Sequence, residues 1–469
     1  MKNYTLFICL LVFLSSCENW FDVEPRTEVK EENLFKDENG YFDALVGVYM
    51  IMGKPDLYGD MLTMSLQEGI VQNYYVTNSA HPLYYIQKME YENTRVRPSI
   101  DAIWNGLYNA IANDNNIITH LNNVDKNIFS GENYNIIKGE ALALRAYLHF
   151  DILRMFGPSF KMDKNKKCMP YVETVSKENT PYSTPEEIVK KCIKDLEEAL
   201  ILLENDPITG KTSDYGNIYL MNRNTRMNIY AVQATLARIY HYAGNKTEAL
   251  NYAQQFIDHE KLSLTTNLTG VSTDRLFSQE LIFALFVDNI ASWADDHFGS
   301  SNLDYDYYQY GYTLDMVFDK NAGLGLDIRY STLFNENASM YKLNKYLYNT
   351  GDSYNAKYRI PMLRLSEMYY IAAESTSNLD DATIWLNDVR SARGLESKDF
   401  TSFNEIEEYL TAEYRREFYG EGQLFYRYKM LDADEIKVGY TTINLEGKKE
   451  EAYIFPLPEQ EEQFGGTTK

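Results

Sequence analysis

The chain has 469 residues, of which 45% are hydrophobic and 24% are charged, a composition typical of a globular protein with a sizeable core. Its formal net charge of −23 at pH 7 disfavours binding to nucleic acid and to anionic membrane faces, and it argues against a polyanionic ligand.

The amino terminus has the pattern of a secretory signal peptide. Lys2 supplies the positive charge, residues 6–14 are almost wholly apolar, and two small serines follow. This apolar run is too short to span a bilayer. It ends in the tetrapeptide LSSC, the pattern of a bacterial lipobox, in which the thiol of Cys17 is lipidated and the chain is cut just before it.

A lipidated Cys17 predicts an exported protein of a Gram-negative cell, tethered to a membrane through several acyl chains. The alternative is a plain signal peptide followed by an incidental cysteine. We interpret residues 1–16 as the lipoprotein signal peptide and residues 17–469 as the body. The body is expected to form one compact unit, with an amino-terminal part of about 17–220 and a carboxy-terminal part of about 221–469.

Apolar residues recur at helical spacing in the first half of the body and predict a mainly α-helical fold. One amphipathic helix is predicted at about 99–121, and a second apolar stripe ends before Gly157. A third helix should begin after Thr184, because this N-cap residue precedes a proline and Glu187 completes a capping box.

Two later segments predict helical hairpins that resemble tetratricopeptide units. Residues 227–243 carry an apolar face, Gly244 makes a turn, and the next helix offers Ala249 as a small contact residue. Residues 363–394 repeat this plan. Long inserts separate these scaffold pieces, so a simple solenoid is not expected, and inserts on scaffolds commonly carry function.

The chain contains 40 tyrosines, and two polar stretches are especially rich in them. The main insert, about 262–358, opens with an apolar run at 280–287 that predicts a buried strand; the other stretch is 72–87. Exposed aromatic rings among polar residues can stack on sugars, although the same rings could simply pack their own loops. The predicted ligand contacts are Trp293, Tyr305, Tyr307, Tyr308, Tyr310, Tyr74, Tyr75, Tyr84 and Tyr85. Trp293 ranks first, because the other tryptophans fall on helical stripes or in the tether.

Seven segments, in order along the chain, resemble the SusD/RagB family of outer-membrane nutrient-binding lipoproteins. They are CENWFDVEP, EALALRAYLHFDILRMFG, ATLARIYHYAGNKTEALNYA, IPMLRLSEMYYIAAE, LNDVRSARG, EYRREFYGEGQLFYRYK and YIFPLPEQE. The acids that follow Cys17 are few, so an acid-rich surface-export signal is weak here. The family's glycan contacts come from variable loops outside these motifs, and no contact residue is carried over.

The resemblance implies a mostly helical fold, with four tetratricopeptide-like units around an irregular, loop-rich ligand-binding part and a few short strands. It implies a lipid-anchored protein that faces the cell exterior and binds oligosaccharides. It also implies a partner, a SusC-like TonB-dependent transporter barrel, over which the lipoprotein sits as a hinged lid.

An enzyme is the main alternative, for example a surface glycoside hydrolase. No metalloprotease, nucleophile-elbow or P-loop motif occurs in the sequence. Carboxylates that could act as an acid and base pair are Asp295, Asp296, Asp304 and Asp306, but their separation is not visible in a sequence. We predict a binding protein without catalytic residues or cofactor; a structural calcium ion at the same acids has no loop pattern to support it.

A third hypothesis is an adhesin, a fimbrial subunit or a peptide-capturing lipoprotein, since tetratricopeptide-like hairpins usually bind proteins. The helical periodicity argues against a β-rich fimbrial subunit.

Structural roles are predicted for Arg415, Arg416 and Arg427, which should pair with nearby glutamates of their own segment. Cys168 and Cys192 could form a disulfide, but the apolar helical face around Cys192 favours a buried thiol.

Overall fold

The computed structural model describes residues 31–211, 216–267, 269–299, 307–320, 327–337 and 340–466. The predicted signal peptide and the lipidation site at Cys17 lie outside the described residues, and so do Tyr305, Asp304 and Asp306.

The described chain is mainly α-helical, as the sequence predicts. Its α-helices are α1 Glu31–Leu34, α2 Glu38–Met52, α3 Leu66–Ile70, α4 Pro82–Ile86, α5 Arg97–Asn123, α6 Asn133–Phe156, α7 Phe160–Asp163, α8 Pro185–Leu202, α9 Ile229–Tyr242, α10 Lys246–Ala253, α11 Ile290–Ala294, α12 Gly311–Val317, α13 Ile328–Thr332, α14 Leu365–Ser375, α15 Leu379–Ala392, α16 Phe403–Glu417, α17 Gln423–Leu431, α18 Lys449–Tyr453 and α19 Glu459–Phe464. Turns of π-helix occur at Met61–Ser65 and Asp295–Gly299. Short 3-10 turns lie at Lys126–Ile128, Pro207–Thr209, Ile218–Leu220, Arg223–Thr225, Gln254–Phe256, Gly270–Ser272, Ser278–Glu280 and Tyr354–Ala356.

Short antiparallel strands join the helical scaffold to its inserts. They are β1 Met169–Pro170, β2 Tyr182–Ser183, β3 Leu281–Phe286, β4 Gln309–Tyr310, β5 Phe334–Asn337, β6 Met340–Leu343, β7 Arg359–Arg364, β8 Glu435–Val438 and β9 Thr441–Asn444. The pairs are β1 with β2, β3 with β7 and β8 with β9, and a three-stranded sheet has the order β4-β6-β5. The predicted buried strand at 280–287 is therefore β3.

The local signals in the sequence mark the helix ends correctly. Thr184 caps α8 by accepting a hydrogen bond from the backbone of Glu187, whose carboxylate accepts one from the backbone of Thr184 in return. The hairpin turn between α9 and α10 uses Gly244 at a φ of 74°, a left-handed conformation that glycine adopts without strain.

Both predicted helical hairpins are present, α9 with α10 and α14 with α15, and α10 packs against α14. The small residues at the crossings are fully buried: Ala249, Ala253, Ala372, Ala373 and Ala382. Two hairpins far apart in sequence thus form one helical scaffold. A continuous hydrophobic core extends from Tyr41 to Phe455 through this scaffold.

A buried network of charges crosses the carboxy-terminal half. Glu417 of α16 lies 2.7 Å from Arg329, 2.6 Å from Arg364 and 2.5 Å from Arg393. Arg393 also pairs with Glu280 at 2.7 Å. The network connects α13, β7, α16 and the residue that follows α15, so charges that are distant in sequence hold the insert on the scaffold.

The predicted pairing of the arginines in the segment 414–429 is only partly confirmed. Arg416 does contact Glu413, at 3.2 Å. Arg427 instead pairs with Glu374 of α14, and Arg415 donates hydrogen bonds to carbonyl and amide oxygens. The arginines are structural, but tertiary neighbours rather than local glutamates hold two of them.

The two cysteines of the described region are buried free thiols, Cys168 and Cys192. In the part of the chain that the structure covers, no helix is both long enough and apolar enough to cross a membrane.

Asp114 on α5 is a buried carboxyl group whose oxygens both lack a hydrogen-bond partner. Burial raises its pKa well above the usual value; the charge of Arg145 lowers it by less, and the charge of Asp195 raises it further. Asp114 is therefore stable in the fold chiefly as the neutral acid.

We expect Asp114→Asn to remove a pH-dependent loss of stability. A raised folded-state pKa contributes stability below the unfolded-state value of about 3.9, and this contribution is lost as the pH rises through the folded-state pKa. Urea denaturation should show wild type weakening relative to the variant as the pH rises from about 3.9 through the folded-state pKa. The exposed Asp288→Asn is the control, and parallel curves for wild type and Asp114→Asn would contradict the prediction.

Candidate ligand-binding surface

Four tyrosine rings form an exposed surface that we call the tyrosine platform: Tyr75, Tyr310, Tyr312 and Tyr440. The ring centroids are 5.2 Å apart between Tyr75 and Tyr310, 5.4 Å between Tyr310 and Tyr312, and 6.1 Å between Tyr312 and Tyr440. Tyr75, Tyr312 and Tyr440 are 41%, 57% and 71% exposed, and Tyr310 is half-buried. Exposed aromatic side chains in ring contact are a surface suited to stacking ligands.

Backbone hydrogen bonds bring the first three rings together. The backbone N–H of Tyr75 donates to the carbonyl of Tyr308 at 2.7 Å, and the side chain of Gln309 donates to the carbonyls of the 72–73 loop. Tyr310 ends β4 and starts α12. The ring of Tyr310, at the N-cap, stacks on that of Tyr312, in the first turn of α12, with their planes 12° apart.

The tyrosines that precede Tyr75 and Tyr310 in their segments form a buried layer below the platform. Tyr74 and Tyr307 are only 2% and 3% exposed, and their rings stack on each other at 5.3 Å. Tyr308 is also buried, and Tyr307 stacks on His297 at 4.3 Å. The expectation that these three tyrosines touch ligand directly needs correction, because protein atoms already cover their rings.

The tyrosine pair in α4 is separate from the platform. Tyr84 and Tyr85 are half-buried and meet edge to face at 5.2 Å, and the ammonium group of Lys88 lies 3.8 Å from the ring of Tyr84. Within the described ranges, neither ring contacts a platform ring. Their predicted role in binding stays a prediction, at a place apart from the platform.

Trp293 does not stand exposed in a polar loop, as the sequence suggested. It belongs to the short helix α11 and is half-buried against the core. A Cβ atom on Gly59 would come within 2.6 Å of the indole, so the ring lies directly on that glycine. Trp293 is a packing residue, and its indole ring covers the backbone at Gly59.

We expect Trp293→Ala to lower stability more than binding. Truncating a buried aromatic side chain costs about 3–5 kcal/mol, so this half-buried ring should cost roughly 1–3 kcal/mol. Thermal unfolding and calorimetric titration with a bound glycan measure the two effects, with the half-buried Trp385→Ala as a matched control. A fall in affinity with unchanged thermal stability would restore Trp293 as a ligand contact.

Arg415 connects the two halves of the platform. Its guanidinium donates to the carbonyl of Val71 at 2.9 Å, to the side chain of Asn73, and to the carbonyl of Lys437 at 2.6 Å. Val71 and Asn73 precede Tyr75, whereas Lys437 lies on β8, whose hairpin turn carries Tyr440. The sequence analysis did not predict this link, nor the exposed rings of Tyr312 and Tyr440. A hairpin was predictable here, because Gly439 stands between two segments in which apolar and polar residues alternate.

A cluster under the platform has the composition of a catalytic triad but not its geometry. The Nε2 atom of His297 lies 3.0 Å from Asp60 and 3.4 Å from the hydroxyl of Ser65. In a catalytic triad the carboxylate and the nucleophile bind opposite ring nitrogens, so one shared nitrogen cannot relay a proton between them.

Burial, followed by the charge of His297, lowers the pKa of the neighbouring His81 to about 4, so His81 is neutral at physiological pH.

The predicted acid pair cannot be assembled from what the structure shows. Asp295 and Asp296 are exposed on a π-helical turn, and the two other candidate carboxylates fall outside the described ranges. Among the described residues, no group of three or more potential ligand side chains could hold a metal ion.

Comparisons with known proteins agree on one family. Residues 19–241 match a family model described as "Starch-binding associating with outer membrane", and residues 300–429 match the model of the SusD family. A curated relative, SusD-like protein P25 of Formosa agariphila, is 24% identical over 292 residues, which covers 61% of this chain and 51% of the relative. The match thus spans about half the length of that relative.

Solved structures show the same fold. A SusD superfamily protein from Bacteroides thetaiotaomicron superposes with a TM-score of 0.72 at 21% identity, covering 92% of this chain and 98% of that chain. A laminarin-binding SusD-like protein superposes with a TM-score of 0.63 at 18% identity, again covering 92% and 98%.

Proposed function

The chain belongs to the SusD/RagB family, and on that premise we propose that it binds neutral glycans at the outer-membrane surface through the tyrosine platform. The observation that carries this proposal is the run of four tyrosine rings in mutual contact, three of them exposed. One solved neighbour is named for laminarin binding, and one matching family model is described as starch-binding.

Physical chemistry favours sugars as the ligand of such a surface. Hydrogen bonds to a sugar largely replace hydrogen bonds to water and add little net free energy. Flat aromatic rings bury the C–H faces of a pyranose, and tyrosine loses little conformational entropy when it does so. The formal charge of −23 disfavours sulfated or uronic acid polymers, so a neutral glycan fits best.

The proposal extends to a place and a partner. Lipid on Cys17 would hold the body at the outer membrane, and a SusC-like TonB-dependent transporter barrel would accept the captured oligosaccharide. The support is the lipobox pattern and the family description as outer-membrane associated.

A glycan array on the body, residues 18–469, followed by calorimetric titration with laminarin and starch oligosaccharides, tests the binding proposal. We expect binding of at least one neutral glycan and no new reducing ends after prolonged incubation. Turnover of the bound glycan would instead support a hydrolase, and capture of peptides without any glycan would support a peptide-binding lipoprotein.

The anchoring proposal has its own test. Cys17→Ala should abolish incorporation of labelled lipid and leave the protein unprocessed or released from membranes, with wild type grown in parallel as the control. Unchanged lipid label and unchanged membrane fractionation in the variant would contradict lipidation at Cys17. Copurification of wild type with a barrel-type transporter would support the proposed partner.

A further inference from the structure

A groove of about 480 Å³ lies next to the platform, behind the β8–β9 hairpin. One wall is α16, which presents Glu408, Thr411 and Ala412, and the opposite wall is the strand β8 with the exposed Lys437. Its volume falls within the range of about 300–1,000 Å³ that is typical of small-ligand sites. The groove is not part of the platform described above.

The groove begins where the platform ends. Gly439 lines it and is followed directly by Tyr440, the outermost ring of the platform. A Cβ atom on Gly439 would lie 2.8 Å from the methyl group of Thr313, so the hairpin turn touches α12 next to Tyr312. Met316 of the same helix is 37% exposed and also lines the groove. A chain that lies along the rings would enter the groove at this point.

The charges in the groove favour a neutral ligand with many hydroxyl groups. Its buried cations are already engaged: Arg415 by three oxygens, and Arg416 by Glu413 and Val317. Of its exposed lysines, Lys161 donates to the carbonyl of Leu431 at 2.8 Å and Lys437 lies 3.7 Å from Glu435. Engaged cations are poorly placed to bind a sulfate or a carboxylate.

Four carboxylates of the groove form ion pairs with Arg416, Lys449 or Lys437; they are Asp319, Asp432, Asp434 and Glu435. The other two are in the opposite situation. Glu407 and Glu408 are exposed on α16 and make no ion pair within the described part of the chain. Ionised carboxylates only accept hydrogen bonds, so they suit the donor hydroxyls of a sugar. Apolar surface from Met316, Val317 and Ala412 lies beside these acceptors. Such mixed surface resembles the lining of sites for uncharged polar ligands.

We propose that this groove is a second subsite, which holds the continuation of a neutral oligosaccharide whose other end lies on the tyrosine platform. The inference rests on the proposed glycan-binding function. It states in addition that the protein selects for chain length, because only an oligomer longer than the platform reaches past Tyr440 into the groove.

Filling the groove separates the two subsites experimentally. The double substitution Thr411→Leu with Ala412→Leu adds apolar volume on the groove face of α16, where Ala412 is exposed and Thr411 half-buried, and leucine is a good helix former. Ala112→Leu, at an exposed position of α5 outside the groove, is the matched control. Urea denaturation checks that both variants fold like wild type.

The probes are trimers and heptamers of laminari- and malto-oligosaccharides, titrated by calorimetry. We expect wild type and Ala112→Leu to bind one of the heptamers at least about tenfold tighter than its trimer, a difference of about 1.4 kcal/mol. The double variant should bind that trimer like wild type and lose the gain for the heptamer.

The inference would be overturned by equal affinity of wild type for trimer and heptamer, or by an unchanged heptamer gain in the double variant. Failure of wild type to bind any of the four probes is a different result, which would count against the proposed glycan function and therefore against the second subsite too. Loss of trimer binding in the double variant would show that the groove and platform are one site rather than two.

Discussion

Replacing Glu417 by glutamine should lower the free energy of unfolding by roughly 3–5 kcal/mol, the cost typical of breaking a buried ion pair by removing one partner. The carboxylate lies within 2.7 Å of Arg329, Arg364 and Arg393, and all four side chains are at most 1% exposed. Glutamine keeps the size of the side chain but not its charge. Three buried guanidinium groups would therefore lose an anion that they share.

The acid limb of the stability curve gives a second measurement of the same effect. Burial raises the pKa of Glu417, but Arg364, Arg393 and Arg329 hold it well below the usual value. A lowered folded-state pKa adds stability above the unfolded-state value of about 4.3, and this stability is lost as the pH falls through the folded-state pKa. Wild type should thus lose more stability than Glu417→Gln when the pH drops below about 4.3.

Urea denaturation at neutral pH measures the main effect, and Glu408→Gln is the control, an exposed glutamate on the same helix. The control should stay within about 0.5 kcal/mol of wild type, as is usual for surface substitutions. A change of that small size in Glu417→Gln would mean that the arginines find other partners, and the network would then not determine stability.

Removing the outer rings of the platform should nearly abolish glycan binding. Truncating a central aromatic contact typically costs about 1–3 kcal/mol, so Tyr312→Ala and Tyr440→Ala should each weaken binding roughly 10- to 100-fold. Thermal stability should change little, because the two rings are 57% and 71% exposed and support little core.

Tyr354→Ala is the matched control, since Tyr354 is 66% exposed but makes no ring contact with the platform in the described structure. Calorimetric titration with the strongest neutral glycan of the array gives the affinities. Full affinity in the Tyr312 and Tyr440 variants would place the site elsewhere, and the tyrosine pair of α4 would then be tested next. Substituting both rings together should cost less than the sum of the single effects if one sugar contacts both.

Local sequence patterns predicted the scaffold well. The capping box at Thr184 gives the start of α8, and the alternation of apolar and small residues gives both helical hairpins. These features depend on neighbours within a few residues, so they can be predicted without knowledge of the tertiary structure. The family followed from motifs that belong to this scaffold.

The candidate site was predicted only in part. Tyr75 and Tyr310 were among the expected contacts and are on the platform, whereas Tyr74, Tyr307 and Tyr308 are below it. The pattern of tyrosines pointed to the two segments that carry Tyr75 and Tyr310, but not to which of their rings are exposed. Tyrosine has an apolar ring and a polar hydroxyl group, so the presence of a tyrosine at a position does not indicate whether its ring faces water or the core.

By itself, then, the sequence determined several of the longer helices, the cap of α8, the two hairpins of the scaffold and the family to which the chain belongs. Only the tertiary structure decided which tyrosines are exposed, and it did so through register. The bridge between Tyr75 and Tyr308 fixes the register of the two segments, and a shift of one residue would exchange the buried Tyr74 and the exposed Tyr75. It also brought Tyr440 beside Tyr312 across more than a hundred residues through Arg415, a link between distant backbone groups that no local pattern encodes.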